Sequence, residues 1–267
     1  MHSFFPYIGG KFRLANKIIE LMPKHDVYIE VFGGSGKVLL NKPPSKIEIY
    51  NDYNKQLANL FYVVAFKFDE FIEKINRVVY SREIFYQFRK ELKSIKIDEL
   101  GDVDTAVKTY YLLHISFSGD LQSCSFSLST VRDKVKTFFR GLDKLYAIQE
   151  RLRNVAIESL DFRDILQKYK DKEDVFLYVD PPYYGVSYYN SNFSEKDHID
   201  LLSLLKTAKA KWMLSGYGND LYDDMLKEFH RIEIPTVKHA YGITKNSKGN
   251  KKPQAIEVLW LNFEVNG

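Results

Sequence analysis

The stretch Val175-Phe176-Leu177-Tyr178-Val179-Asp180-Pro181-Pro182-Tyr183 decides how the rest of the chain is read. An apolar run, mostly β-branched or aromatic, ends at Asp180 and is followed by two residues that cannot continue a sheet. Proline lacks a backbone N–H and fixes φ, so Pro181-Pro182 ends a buried strand and stiffens the chain beyond it. The same pattern recurs on either side. Val27-Tyr28-Ile29-Glu30-Val31-Phe32 leads into Gly33-Gly34-Ser35-Gly36, and Lys46-Ile47-Glu48-Ile49-Tyr50 ends at Asn51-Asp52. Val155-Ala156-Ile157-Glu158-Ser159-Leu160 precedes Asp161-Phe162, and Lys211-Trp212-Met213-Leu214-Ser215 stops at Gly216.

Helical patterns lie between these runs. Lys11 to Met22 places Leu14, Ile18 and Met22 on one face, Asn54 to Phe66 predicts a second helix, and Leu201, Leu202, Leu204 and Leu205 mark a third. Ser194 and Asp197 have capping-box spacing in front of it. Strands alternating with helices define an α/β class with a mainly parallel sheet and helices on both faces. Ligands of such sheets bind beyond the carboxyl ends of the strands, where the turns lie. Residues 63–153 break the rhythm with helical patterns at Phe68 to Val79, Arg82 to Lys93 and Thr105 to Leu113. A Ser-rich segment, Ser116 to Thr130, follows, and then basic residues including Arg132, Lys134, Lys136, Arg140, Lys144, Arg151 and Arg153. This stretch reads as a helical insertion with a hairpin or loop; residues 1–62 and 154–267 form the main domain.

With 45% hydrophobic and 28% charged residues, the 267-residue chain has the composition of a globular protein. A net charge of +4 permits a polyanionic partner without demanding one. The 19 Tyr and 19 Phe either fill cores or offer stacking surfaces for bases. A single cysteine, Cys124, excludes an internal disulfide framework and a cysteine-rich zinc site. The first residues do not read as a signal peptide and no apolar run reaches membrane-spanning length, so the expected setting is cytoplasmic, with no membrane partner.

Three turns carry chemistry. Glu30 to Gly36 is a glycine-rich strand-to-helix turn, either a plain tight turn or a site where backbone amides meet a nucleotide-like ligand. Asp52 at the next strand end suits the hydroxyls of a ribose, or else builds an Asx turn with its neighbours. In Asp180-Pro181-Pro182-Tyr183, rigidity aims the Asp180 carboxylate and the Pro181 carbonyl at one point, as an exocyclic amine requires, and Tyr183 offers a flat face to its ring. The alternative is a strand-ending turn with no ligand.

Taken together, Pro6-Tyr7-Ile8-Gly9-Gly10-Lys11, Glu30 to Gly36, Asn51-Asp52-Tyr53-Asn54, Leu160-Asp161-Phe162 and Asp180 to Tyr183 resemble the Dam-type, D12-class DNA adenine-N6 methyltransferases. The resemblance extends to Asp197-His198 and to Ile256-Glu257-Val258-Leu259-Trp260. It implies a Rossmann-like sheet that binds S-adenosylmethionine, uses no metal and methylates an adenine flipped out of double-stranded DNA, with residues 63–153 as target-recognition insertion. By the same resemblance Tyr7, Gly9, Lys11, Glu30, Phe32, Gly33, Gly34, Ser35 and Gly36 hold the methionine part of the cofactor. Asp52 holds the ribose, Asp161 and Phe162 meet the cofactor's adenine, and Asp180, counted also among the cofactor's residues, orients the target amine with Pro181 and Pro182, while Tyr183 stacks on the base. In the insertion, His114-Ile115-Ser116-Phe117-Ser118-Gly119 follows the family pattern only in part, which leaves the DNA sequence unread. The basic stretch Lys238 to Lys252 suits phosphate contacts or is a plain solvent-exposed loop. A cognate restriction endonuclease is a further partner the resemblance leaves open. Rival readings are a methyltransferase acting on RNA adenine or another amine, and a catalytically silent DNA-binding module of the same fold.

Overall fold

The computed structural model describes residues 4–7, 14–116, 121, 125–128, 133–185, 193–237 and 254–265. The strands are β1 (Val27–Glu30), β2 (Ile47–Asn51), β3 (Val155–Glu158), β4 (Val175–Val179), β5 (Lys211–Tyr217), β6 (His230–Val237) and β7 (Gln254–Leu261). They form one seven-stranded sheet in the order β3-β2-β1-β4-β5-β7-β6. The pairs β2–β3, β1–β4 and β4–β5 are parallel, whereas β7 runs antiparallel to both β5 and β6. Every strand read from the sequence forms, and the sheet is mainly parallel as expected. The antiparallel pair β6–β7 was not anticipated. Its edge strand β6 carries Pro235, which a central strand would not tolerate because the missing N–H breaks the ladder.

Ten helices flank the strands among the described residues: α1 (Ala15–Glu20), α2 (Lys55–Phe66), α3 (Phe68–Asn76), α4 (Arg82–Ser94), α5 (Val103–Ile115), α6 (Lys134–Asp143), α7 (Leu145–Leu152), α8 (Phe162–Tyr169), α9 (Glu195–Lys206) and α10 (Asp220–Met225). The capping box predicted at Ser194 and Asp197 is present at the start of α9. Two expectations shift. The helix read from Lys11 onward is described only from Ala15, and the segment after Gly36 forms hydrogen-bonded turns rather than an α-helix. No described helix is long and apolar enough to cross a membrane.

The chain divides into two compact units, one comprising Met1–Glu20, Gly33–Pro44 and Glu48–Ser159, the other Leu21–Phe32, Ser45–Ile47 and Leu160–Gly267. In the first, α5 is buried along nearly its whole length, with Tyr110, Tyr111, Leu112 and Leu113 fully enclosed. Much of the aromatic content is spent here: Phe4, Phe61, Phe71 and Tyr110 pack edge to face or tilted, and Tyr50 stacks on Phe61 at 3.9 Å between ring centres. The loop into α5 is pinned by buried Asn59, whose Oδ1 accepts from the Gly101 and Asp102 amides and whose Nδ2 donates to the Asp102 carbonyl.

Arg151, one of the basic residues of the insertion, has a structural role. Its guanidinium donates to both carboxylate oxygens of Glu48, at 2.5 and 2.8 Å, and to the Leu39 carbonyl, while Lys42 pairs with the same carboxylate. These pairings hold the Glu48 carboxyl below its ordinary value despite the opposing effect of burial. In the second unit β4 is buried at every position, as the uninterrupted apolar run predicts for a strand covered on both faces.

Candidate active site

The glycine turn owes its shape to one close approach. A Cβ built on Gly33 would lie 2.2 Å from the ring of Tyr50, so only glycine fits. That ring also fixes the turn from below, because its hydroxyl donates to the Gly34 carbonyl at 2.7 Å. Gly34 and Gly36 have φ of +51° and +60°, in the left-handed region. Ser35 is buried in the turn, and Tyr7 lies close enough for its ring to sit 3.2 Å from a Cβ at Gly34. Gly9 and Lys11 lie outside the described residues.

Asp52, just past β2, joins the same turn. One carboxylate oxygen accepts from the Gly34 amide at 2.7 Å, and the other accepts from the Asn54 amide at 2.8 Å. The second bond is an Asx turn, so that alternative is realised in the structure, alongside a direct tie to the glycine turn. Burial pushes the Asp52 carboxyl up to about 6, against the opposing pull of the two amides. Its carbonyl accepts from Ser159 Oγ at 3.0 Å.

In the second unit, Glu30 ends β1 as a buried carboxylate accepting from the Tyr28 hydroxyl at 3.1 Å. Phe32, Phe162 and Phe193 form an aromatic cluster with centres 5.3 to 5.7 Å apart. Asp161 caps α8 by accepting from the Arg163 amide, and the Arg163 guanidinium lies over the Phe162 ring at 4.3 Å. Arg163 also pairs with Asp197 and Asp200, a link between α8 and α9 that gave no signal in the sequence.

Asp180 follows β4, where the next two residues have no N–H to offer. An Asx turn of the kind made by Asp52 is therefore impossible. Ser215 on β5 donates from Oγ to Asp180 Oδ1 at 3.0 Å, and the buried Tyr178 hydroxyl is 3.1 Å from that same Oγ. Pro181 is buried and Pro182 half-buried, which holds the turn in place. Tyr183 is half-buried; its hydroxyl donates to Glu257 Oε1 on β7 at 2.7 Å, and its ring meets that of Tyr217 edge to face. Tyr184 donates to Glu195 at 2.9 Å, while Tyr188 and Tyr189 lie outside the described residues. His198, read from the sequence as an early-helix residue, is buried on α9 with Nδ1 2.7 Å from the Tyr222 hydroxyl, and burial lowers it to about 4. It is neutral at physiological pH.

Sequence reasoning missed Ser215, Tyr178, Tyr217 and Glu257 as partners of the Asp-Pro-Pro-Tyr turn. The only sequence signal was an acidic residue, Glu257, in an otherwise apolar run. Of the basic stretch Lys238 to Lys252 and the Ser-rich segment, most lies outside the described residues.

Comparison with known proteins gives the family. Residues 7–240 match the family model described as D12 class N6 adenine-specific DNA methyltransferase. The chain is 26% identical to the Type II methyltransferase M1.LlaDCHI of Lactococcus lactis subsp. cremoris, over 98% of this chain and 96% of that protein. It is 24% identical to the DNA adenine methylase of Escherichia coli K12, over 97% and 95%, and to that of Serratia marcescens, over 97% and 98%. A match along so much of the chain, containing both the glycine turn and Asp180 to Tyr183, places it without ambiguity: the chain belongs to the D12 class of N6 adenine-specific DNA methyltransferases.

Proposed function

We propose that the protein transfers a methyl group from S-adenosylmethionine to N6 of an adenine rotated out of double-stranded DNA. One observation carries the reading: a carboxylate at the end of a buried strand, followed by two prolines and accepting a hydrogen bond from Ser215 on the neighbouring strand. Such a group keeps its orientation while remaining an acceptor for a donor that arrives with the substrate. In this reading Asp180 and the Pro181 carbonyl accept the two N6 hydrogens and orient the amine, and Tyr183 stacks on the base. Asp180 need not remove a proton before attack; the N6 proton leaves to solvent after transfer.

The donor sets suit the proposed cofactor. Asp52 supplies a carboxylate at a strand end beside backbone amides, as a ribose diol requires, and Gly33 and Gly34 keep the turn free of side chains. S-adenosylmethionine, when bound, supplies the methyl group as an already activated sulfonium. Tyr7, Gly9, Lys11, Glu30, Phe32 and the Gly33–Gly36 turn are assigned to its methionine part, and Asp161 and Phe162 to its adenine. Residues 63–153 act as the target-recognition insertion, with α6 and the basic residues near it meeting phosphates. A partner restriction endonuclease would fit the same reading.

The test is to incubate the purified protein with unmethylated duplex DNA and labelled S-adenosylmethionine, then map N6-methyladenine by sequencing. Methylation at a defined duplex site is expected. Label entering RNA but not duplex DNA, or no transfer from this donor, overturns the proposal.

A further inference from the structure

Glu257 is a carboxylate placed where the strand pattern calls for an apolar side chain. On β7 its neighbours Val258, Leu259, Trp260 and Leu261 are buried, and Glu257 itself is 2% exposed. An ionised carboxylate removed from water is strongly unfavourable unless hydrogen bonds replace the lost hydration, so its presence calls for a reason. One contact it makes is with the Asp-Pro-Pro-Tyr turn. Tyr183 donates its hydroxyl to Glu257 Oε1 at 2.7 Å, a well-formed O–H···O bond. The register of β5 and β7 sets Tyr217 directly opposite Glu257. The Tyr217 ring in turn meets the Tyr183 ring edge to face, with centres 4.5 Å apart and planes at 69°. At its other end Tyr183 is joined to two prolines, which restrict the backbone. The ring is thus held at its hydroxyl, at its side and at its main chain.

We infer that Glu257 is a positioning residue: with Tyr217 it sets the plane of the Tyr183 ring before the target base arrives. The inference rests on the reading of Tyr183 as the ring that stacks on the flipped adenine. A ring fixed in advance loses no further side-chain freedom when the base stacks on it, which favours the extruded base over the paired one. Glu257 touches neither base nor cofactor in this scheme; it acts through Tyr183. Loosening the clamp therefore weakens use of DNA and leaves cofactor affinity unchanged.

The experiment compares Tyr183→Phe, Glu257→Gln, Glu257→Leu and the double variant Tyr183→Phe/Glu257→Leu with the unmodified protein. Methyl-transfer kinetics are measured on duplex DNA carrying the mapped site. Base extrusion is followed by the fluorescence of 2-aminopurine at the target position, with cofactor affinity and melting temperature as controls. Tyr183→Phe and Glu257→Leu are each expected to lower kcat/KM for DNA about tenfold and to reduce the 2-aminopurine signal. Glu257→Gln still offers an acceptor oxygen and is expected to keep most of the rate. The double variant is expected to be no worse than the poorer single one, because both changes remove the same bond. Multiplying losses in the double variant overturn the inference, as does an unaltered Tyr183→Phe. If Glu257→Leu does not fold, Tyr183→Phe and Glu257→Gln decide between the same outcomes. Tyr183→Ala separates the two layers: full activity sinks the stacking reading, whereas a loss accompanied by an unaltered Tyr183→Phe sinks only the clamp.

Discussion

Asp52 and Asp180 each stand just past a parallel strand, yet they are held in opposite ways. Asp52 is followed by residues with amides and beside a turn of glycines; its carboxylate accepts two backbone N–H groups, from Gly34 and Asn54. Asp180 is followed by two prolines, which offer it no amide, and takes a hydroxyl from Ser215 on the neighbouring strand. The contrast shows how the following residues select the kind of support. Backbone donors, whether from the next residues or from another turn, survive most side-chain changes nearby. Side-chain donors depend on strands distant in sequence, so the orientation of Asp180 is exposed to substitution at Ser215 and Tyr178.

The sharpest way to break this comparison is to remove each carboxylate in turn. Asp180→Ala is expected to lower methyl transfer by about a hundredfold or more while leaving cofactor affinity nearly intact, since only the reacting amine loses its acceptor. Single-turnover rates and equilibrium dialysis with labelled cofactor measure the two quantities separately; full activity in this variant rules out the role given to Asp180. Asp52→Ala should show the reverse pattern. Loss of acceptors for a ribose diol weakens cofactor binding by about 2 kcal/mol, roughly thirtyfold in Kd, with a smaller effect on the rate at saturating cofactor. An unchanged Kd excludes the ribose role.

The raised Asp52 carboxyl adds a pH signature that Asp180 is not asked to share. A diol donating hydrogen bonds favours the ionised form, so cofactor affinity should rise as pH increases through about 6. Between pH 5 and pH 8 the change is expected to approach about tenfold, and titration calorimetry in buffers of different ionisation heat should detect proton release on binding. The folding signature has the opposite sign. Because the folded protein holds this proton more tightly than the unfolded chain, Asp52 contributes most to stability below its ordinary value of 3.8, and that contribution is lost as pH rises through about 6. Asp52→Asn should flatten both curves. The smallest effect is reserved for the support of Asp180: Ser215→Ala deletes the hydrogen bond to Asp180, worth about 1 kcal/mol, and should slow transfer roughly fivefold with no change in cofactor Kd. A loss as large as that of Asp180→Ala would mean that Ser215 does more than orient.

The local elements were legible because their signals are local. The apolar run Val175 to Val179 ends in the structure where the prolines demand, and Ser194 and Asp197 form their capping box. The pair β6–β7 escaped notice since Pro235 and the polar residues His230, Arg231 and Glu233 mask an edge strand whose pairing is set by its neighbour. Arg151 read as one of a run of basic residues, although it closes a part-buried ion pair with Glu48, more than a hundred positions away in the chain. Nothing in the composition around residue 151 distinguishes a solvated arginine from a part-buried one.

For the site, sequence alone determined which residue types stand at the strand ends: a glycine turn that only glycine can make, a carboxylate after β2, and an acid followed by two prolines and a tyrosine. These are properties of single turns, dictated by φ, by the missing proline N–H and by side-chain chemistry. Only the tertiary structure decided what supports them. Tyr50 beneath Gly33, Ser215 beside Asp180, and Glu257 with Tyr217 around Tyr183 come from strands whose order in the sheet differs from their order in the chain. Strand order and register are settled by the burial of whole faces at once, and no turn carries that information in its own residues.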